Sequence, residues 1–208
     1  MSWKQISAMA VVCLAFGMML AACSGSAKKR VNGEPTKNYD DVVAKIDFER
    51  HNASKNYVIL VDYSIPSNRN RLFVYNLNTK EIEYGFWCAH GFGGQSTPET
   101  PEFSNTPGSN CSSLGLYKIE RGEGTSANYG YKYHAVDGLS SANSNARCRQ
   151  ILIHAWSSVT NDYEAQIDEP MNLDVRCAGC FTTTDEGYET LHRIIRAEKK
   201  RILLYAFT

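Results

Sequence analysis

The sequence predicts a single, mainly β domain with one or two helices, and three features indicate this. The chain has 208 residues, which is enough for one domain of ordinary size. From residue 57 onward, short runs rich in β-branched and aromatic residues alternate with clusters of Gly, Pro, Ser and Asn. Apolar residues at helical spacing mark two segments, one before and one after most of these runs.

Residues 1–22 have the pattern of a secretory signal peptide. Lys4 precedes an apolar run from residue 6 to residue 20, and two alanines and Cys23 follow it. Such a run is short for a membrane-spanning helix but fits the apolar region of a signal. Small residues directly before a cysteine resemble the bacterial lipobox, which implies that Cys23 becomes the lipid-modified first residue of the mature chain. An ordinary signal or N-terminal anchor with an incidental cysteine is the alternative.

Residues 23–54 predict a tether followed by a short helix. The stretch up to about residue 38 is polar, as expected of a flexible linker. Between residues 40 and 50, the apolar side chains recur at helical spacing. They are Val42, Val43 and Ile46.

Residues 55–208 contain the predicted β domain. The run at 57–63 is apolar and β-branched, which predicts a strand buried on both faces or nearly so. With the segments at 71–77 and 81–89 it predicts a meander of antiparallel strands. Three further strands are predicted at 114–120, 150–154 and 202–207.

A long loop and a second helix complete the predicted elements. Residues 90–113 are rich in Gly, Pro, Ser, Thr and Asn, and a loop of this length is usually functional or mobile. Thr183 and Glu186 have the spacing of a capping box, which predicts a helix that begins there. Its apolar stripe comprises Tyr188, Leu191, Ile194 and Ile195.

The charge balance argues against a nucleic-acid partner. The chain has 22 Lys and Arg and 22 Asp and Glu, with a formal net charge of +0. No long-range field would therefore draw it to nucleic acid or to an anionic membrane surface. We expect membrane association through the N-terminal lipid alone.

The cysteine count predicts at least one free thiol. Of seven cysteines, Cys13 would leave with the signal and Cys23 would carry lipid. An odd number then remains in an oxidising compartment, and four of these could form two disulfides in three ways. We expect Cys177 to pair with Cys88, Cys111 or Cys148 and Cys180 to stay free, and a reversible bridge between Cys177 and Cys180 is the alternative. The five are Cys88, Cys111, Cys148, Cys177 and Cys180.

Two segments have the residues of a nucleophilic site. His154 ends a predicted strand, and Gly179-Cys180 precedes the second predicted helix. A thiol attacks only as the thiolate, which a nearby imidazole can generate by taking the proton. Glycine before the cysteine allows a tight turn whose N–H groups can face an oxyanion. A hydrogen-bonded structural histidine is the plainer interpretation of His154 alone.

The wider pattern resembles the L,D-transpeptidase family of peptidoglycan enzymes, in a divergent branch found among lipoproteins and secreted proteins. The resemblance covers most of residues 57–207. It is carried by dispersed segments in the same order as in the family, among them Asp62-Tyr63-Ser64, Arg71 to Tyr75, Ala89-His90-Gly91, Gly108 to Asn110, Ser112 to Tyr117, Asp137-Gly138-Leu139, Asn143, Arg149 to Ala155, and Gly179-Cys180.

This resemblance implies a β-sandwich-like catalytic domain and an acyl transfer. Cys180 would attack the carbonyl of the L-centre in a stem tetrapeptide and expel the terminal D-alanine, with His154 as base and then acid. The Gly179 and Cys180 N–H groups would bind the oxyanion, and the thioester would pass to an amine or to water. No cofactor or metal is implied. The protein would lie in the bacterial cell envelope, lipid-anchored and facing the periplasm.

The sequence departs from the family's usual signature around the nucleophile. The family has serine or threonine three residues before the cysteine, histidine two before it, and arginine or asparagine two after it. Here these positions hold Cys177, Ala178 and Thr182. The departures leave open a catalytically inactive, lipid-anchored domain that binds peptidoglycan without cutting it.

Three other interpretations of the site residues remain. Cys177 and Cys180 could form a thioredoxin-like redox pair, although the predicted helix cap follows both of them. A zinc site could combine these cysteines with His154 or His192, but a second closely spaced ligand pair is missing. His90 is a second candidate base, since it precedes the long loop.

Overall fold

A computed structural model describes residues 37–156 and 177–208, and within them the chain is mainly β, as predicted. One eight-stranded sheet dominates it. Two α-helices, α1 (Tyr39–Val43) and α2 (Asp185–Ala197), and a 3-10 turn at Ser141–Asn143 accompany it. The strands are β1 (Tyr57–Asp62), β2 (Leu72–Asn76), β3 (Glu81–Phe86), β4 (Gly115–Thr125), β5 (Lys132–Gly138), β6 (Leu152–Ala155), β7 (Phe181–Thr183) and β8 (Leu203–Phe207).

The sheet has the order β3-β2-β1-β8-β4-β5-β6-β7. The first three strands form the predicted antiparallel meander. The closing strand β8 lies in the middle of the sheet, parallel to β1 and antiparallel to β4. At the far edge, β6 pairs antiparallel with β5 and parallel with β7.

The two edges of the sheet meet, because the chain beyond β3 reaches β7. Ala89 N–H donates to the Thr182 carbonyl at 2.8 Å. The Thr183 hydroxyl donates to the Trp87 carbonyl at 2.7 Å. The sheet is therefore curled back on itself, which agrees with the sandwich-like domain that the family resemblance implies.

Both faces of the central strands are buried, as the unbroken apolar run of β1 predicts. Val58 and Leu60 belong to the cluster that α1 covers, whereas Ile59 and Val61 belong to the cluster that α2 covers. Each of these side chains is fully buried, which stabilises the fold by roughly 1.5–3 kcal/mol per residue. Helix α2 contributes Tyr188, Leu191 and Ile195.

The predicted cap of the second helix is wrong by one residue. Thr184 is the N-cap, and its hydroxyl accepts a hydrogen bond from Gly187 N–H at 3.0 Å. Thr183 instead ends β7 and is held by its bond to the Trp87 carbonyl. Three consecutive threonines have the same local preference for a cap, so the tertiary contact to Trp87 decides which one caps the helix.

Other element boundaries also differ from the prediction. Helix α1 ends at Val43, well before residue 50, and β4 runs to Thr125. Strands β5 and β7 were not predicted. Strand β7 has three residues, too few for an alternating pattern, and depends on its pairing with β6.

The predicted loop at 90–113 is folded against itself. Gly91 and Gly93 lie so close to residues 109–112 that a Cβ on either would overlap their backbone. Gly91 N–H also donates to the Ser112 hydroxyl at 3.0 Å. These contacts hold residues 91–93 against residues 109–112, so the two ends of the loop pack on each other.

The predicted disulfides are absent from the structure. All five cysteines of the described residues are free: Cys88, Cys111, Cys148, Cys177 and Cys180. The expectation that Cys177 pairs with another cysteine is therefore wrong for this structure, where its sulfur is hydrogen-bonded to neighbours in its own segment.

Across the described part of the chain, no helix is long and apolar enough to span a membrane. The predicted signal and Cys23 lie outside the described residues.

Candidate active site

The candidate site lies where β6 and β7 run side by side at the edge of the sheet. His154 is on β6 and pairs with Thr182 on β7. Cys180 precedes β7 directly and is two residues before Thr182. Thr182 and His154 are on the same face, since the Thr182 hydroxyl lies 3.2 Å from His154 Nε2. Because side chains alternate along an extended chain, we expect Cys180, directly before β7, to be directed to this face too.

His154 is held as a neutral imidazole whose Nε2 is the acceptor nitrogen. A carbonyl oxygen can only accept, so Nδ1 must donate in its 2.9 Å contact with the Ala155 carbonyl. Nε2 is then the acceptor nitrogen, and it lies 3.2 Å from the Thr182 hydroxyl. Burial lowers the pKa of His154. The ring of Tyr131 stacks on the imidazole, with centroids 4.2 Å apart and planes 12° apart.

Cys180 is half-buried and carries a protonated thiol in this arrangement. Its Sγ lies 3.7 Å from the Gln150 carbonyl, to which the S–H donates. Burial raises the pKa of the Cys180 thiol, and nearby Cys177 adds to the rise, while the Arg149 charge opposes it. Within the described residues, Cys180 Sγ and His154 Nε2 are not hydrogen-bonded to each other. Sγ contacts the Gln150 carbonyl, and Nε2 contacts the Thr182 hydroxyl.

Gly179 occupies a position that only glycine fits. Its φ is +104°, in the region that L side chains rarely adopt. A Cβ there would lie 2.4 Å from the Cys111 carbonyl oxygen and 3.0 Å from Arg149 Nη2. Arg149 in turn donates to the carbonyls of Cys111 and Ser104. The loop at 90–113 thus braces the turn that presents Cys180.

Cys177 is buried next to the candidate nucleophile. Its Sγ lies 2.9 Å from the Cys180 carbonyl and 3.4 Å from the Thr182 hydroxyl. Burial raises the pKa of Cys177, but hydrogen bonds with Thr182 and with the backbone of Gly179 and Cys180 oppose the rise. The departures from the family signature at 177 and 182 therefore lie in contact with each other.

His90, the second candidate base, has partners on both ring nitrogens. Its Nδ1 lies 2.7 Å from Nη2 of Arg71, which can only donate, and its Nε2 lies 2.9 Å from the Thr97 carbonyl. Burial, with the Arg71 charge next, lowers the pKa of His90 to about 4. The lone pair of His90 Nδ1 is thus taken by a guanidinium that can only donate, whereas the hydroxyl beside His154 Nε2 can also accept. This difference favours His154 as the base, and His90 ties the loop to Arg71.

The zinc alternative finds no support in the described part of the chain. His192 lies 3.1 Å from His134 and 3.2 Å from Glu123, and so is engaged away from both cysteines. Among residues 37–156 and 177–208, no group of three His, Cys, Asp or Glu side chains could hold a metal ion.

The contacts of three site residues could not be predicted from the sequence. Tyr131 stacks on His154, Arg149 braces Gly179, and Thr182 faces Nε2. Each depends on strand register or loop packing, for which a single sequence carries no signal. Trp156, two residues after His154, packs edge-on to Tyr131 with centroids 6.1 Å apart.

Comparison with known proteins identifies the family. The model of the L,D-transpeptidase catalytic domain matches residues 31–207, whereas no curated protein matches. Among solved structures, the helical cell shape determining protein Pgp2 from Campylobacter jejuni is similar, with 13% identity over 72% of this chain and a TM-score of 0.44. A mutant of the same protein gives 15% identity over 73% and the same TM-score.

The two Pgp2 structures are longer than this chain. The similar region covers 46% and 47% of them, so the chain spans less than half of their length. The family assignment depends on the domain model, which extends from before α1 through the last residue of β8. This chain belongs to the L,D-transpeptidase catalytic-domain family.

Proposed function

We propose that this chain is a cysteine-dependent acyltransferase for peptidoglycan stem peptides, an L,D-transpeptidase or L,D-carboxypeptidase, with Cys180 as nucleophile and His154 as base. The observation that carries the proposal is the state of His154. Its Nδ1–H is fixed on the Ala155 carbonyl, Nε2 is left as an acceptor, and burial keeps its pKa low. A neutral imidazole directed to the same face as a thiol is suited to general-base catalysis.

The Cys180 thiol needs such a base. Burial raises its pKa, so little thiolate forms unaided at neutral pH. In the proposed first step, Sγ leaves the Gln150 carbonyl and its proton passes to His154 Nε2. The thiolate attacks the carbonyl of the L-centre, and His154 returns the proton to the amine of the departing D-alanine. An amine or water then takes the acyl group from the thioester, and Cys180 regains a proton.

Gly179 and Cys180 remain the proposed oxyanion donors. The positive φ of Gly179 and its contact with Cys111 support a rigid turn at this point. At rest the Cys177 S–H donates to the Cys180 carbonyl at 2.9 Å, so this thiol lies beside the turn that would bind the oxyanion.

Release of D-alanine from tetrapeptide-stem muropeptides tests the proposal. Cys180→Ala should abolish release, and His154→Ala should slow it by roughly a hundredfold or more, as expected when a general base is lost. Cys148→Ala, which removes an exposed free thiol, is the matched control and should have no effect. Muropeptide binding without release by the wild-type protein would instead support an inactive peptidoglycan-binding domain.

The location of the protein is part of the proposal. The apolar run and the small residues before Cys23 support export and lipid attachment, so that the domain would face the periplasm from a membrane of the bacterial envelope. Peptidoglycan lies in the same compartment. The polar stretch after Cys23 would supply the reach between membrane and wall.

A further inference from the structure

The Thr182 hydroxyl lies between two titratable groups. Its Oγ1 is 3.2 Å from His154 Nε2 and 3.4 Å from Cys177 Sγ. Thr182 is 1% exposed and is fixed opposite His154 by the pairing of β6 with β7. The hydroxyl therefore has two protein partners and almost no contact with solvent.

A hydroxyl has one hydrogen, so it can donate to only one of these partners at a time. When His154 is neutral, Nε2 is an acceptor and the Thr182 O–H can donate to it. When His154 is protonated, Nε2–H becomes a donor and the Thr182 oxygen must accept. Rotation about the Cβ–Oγ1 bond then directs the hydroxyl hydrogen to the Cys177 sulfur, and no heavy atom has to move.

We propose that Thr182 is a positioning residue for His154, whose hydroxyl reverses direction as the imidazole gains and loses its proton, with the Cys177 sulfur as the alternative acceptor. The proposal rests on the proposed function, in which Cys180 gives its proton to His154. Turning the hydroxyl toward Cys177 frees the Nε2 lone pair for that proton. The Thr182 oxygen then helps to hold the imidazolium, and no proton leaves Thr182.

The proposal also links two of the three departures from the family signature. The positions that hold a hydroxyl and an arginine or asparagine in the family hold Cys177 and Thr182 here. Their 3.4 Å contact makes them one unit, in which the hydroxyl needs a second partner and the thiol supplies it. Sulfur is a weak acceptor, so the reversed state is stabilised only modestly.

The test measures the pKa of His154 by NMR and the rate at which iodoacetamide alkylates Cys180, mapped by peptide mass. Thr182→Val keeps the side-chain shape but removes the hydroxyl. It should lower the pKa of His154 by about one unit and slow alkylation at neutral pH about tenfold, the equivalent of one pKa unit. Thr182→Ser should stay within about twofold of the wild type, because it keeps the hydroxyl.

Thr183→Val is the matched control. Thr183 is equally buried and lies on the same strand, but its hydroxyl is bonded to the Trp87 carbonyl. This variant should lose stability without a shift in the pKa of His154. An unshifted pKa in a folded Thr182→Val variant, or equal shifts in both variants, would overturn the proposal.

Variants of Cys177 test whether its sulfur is the alternative acceptor, and they do not require that Thr182→Val folds. Cys177→Ala should lower the pKa of His154, whereas Cys177→Ser should keep or raise it, since oxygen is the stronger acceptor. In the Thr182→Val background, Cys177→Ala should add nothing, because the coupling passes through the hydroxyl. Additive effects would refute the coupling.

Failure of the proposed function would give a different pattern. If Cys180 and His154 do not act as a pair, His154→Ala will leave the alkylation of Cys180 unchanged, while Thr182→Val still shifts the pKa of His154. If the pair acts but Thr182 has no part, His154→Ala will slow alkylation and Thr182→Val will not.

Discussion

Substituting Gly179 by alanine should strain the turn that presents Cys180. The position has a φ of +104°, which costs an L side chain about 1–2 kcal/mol. The new Cβ would also lie 2.4 Å from the Cys111 carbonyl oxygen, where backbone must move to make room. Such overpacking costs typically about 1–3 kcal/mol. The free energy of unfolding should therefore fall by about 2–5 kcal/mol.

Thermal unfolding followed by circular dichroism measures this loss. For a chain of this size, each kcal/mol shifts Tm by roughly 2–4 °C, so Tm should fall by roughly 4–20 °C. Gly108→Ala is the control, since Gly108 has a φ of +80° but nothing within 4 Å of its added Cβ. It should lose only the conformational part, about 1–2 kcal/mol. Equal losses in the two variants would refute the tight contact with Cys111.

Three further predictions concern other parts of the chain. Cys23→Ser should leave unprocessed precursor and abolish labelling by a lipid precursor; normal labelling would refute lipid attachment at Cys23. Folding lowers the pKa of buried His90 from 6.5 to about 4, so its contribution to stability should be complete above pH 6.5. The free energy of unfolding should decline by about 3 kcal/mol as the pH falls to 4. Urea unfolding should show a weaker decline in His90→Gln, and an unchanged decline would be evidence against this role of His90. Arg71 donates to Cys88 O, Ile65 O and His90 Nδ1 at 2.7, 3.2 and 2.7 Å. Arg71→Met should therefore lower the free energy of unfolding, measured in urea, by at least about 3 kcal/mol, and Arg71→Lys should not restore it. A loss under about 1 kcal/mol would contradict this.

The strands with long apolar runs could be predicted from the sequence, and those defined by pairing could not. Three of the six residues of strand β1 are β-branched and five are buried, so its apolar run is easily recognised in the sequence. Strand β5 contains His134, which is fully buried although its residue type suggests an exposed position. Its burial is possible because Nδ1 reaches the Glu120 carbonyl at 2.9 Å, a contact that exists only in the paired sheet.

The residues of the candidate site also differ in how well the sequence predicts them. Cys180 and His154 stand out by residue type and by position at the ends of predicted elements. Thr182 does not, because its contact with Nε2 follows from the parallel register of β6 and β7. Arg71 lies in an alternating strand pattern and would be expected in solvent, yet it is fully buried because three acceptors surround its guanidinium.

If Cys180 forms a thioester with the stem peptide, the mass of the intact protein should reveal it. The protein is mixed with a tetrapeptide-stem muropeptide and quenched in acid after short times. We predict an added mass equal to the muropeptide less D-alanine, mapped to Cys180, absent in Cys180→Ala and retained in Cys148→Ala. A protein that releases D-alanine with no adduct on Cys180, or an adduct that persists in Cys180→Ala, would contradict a Cys180 thioester.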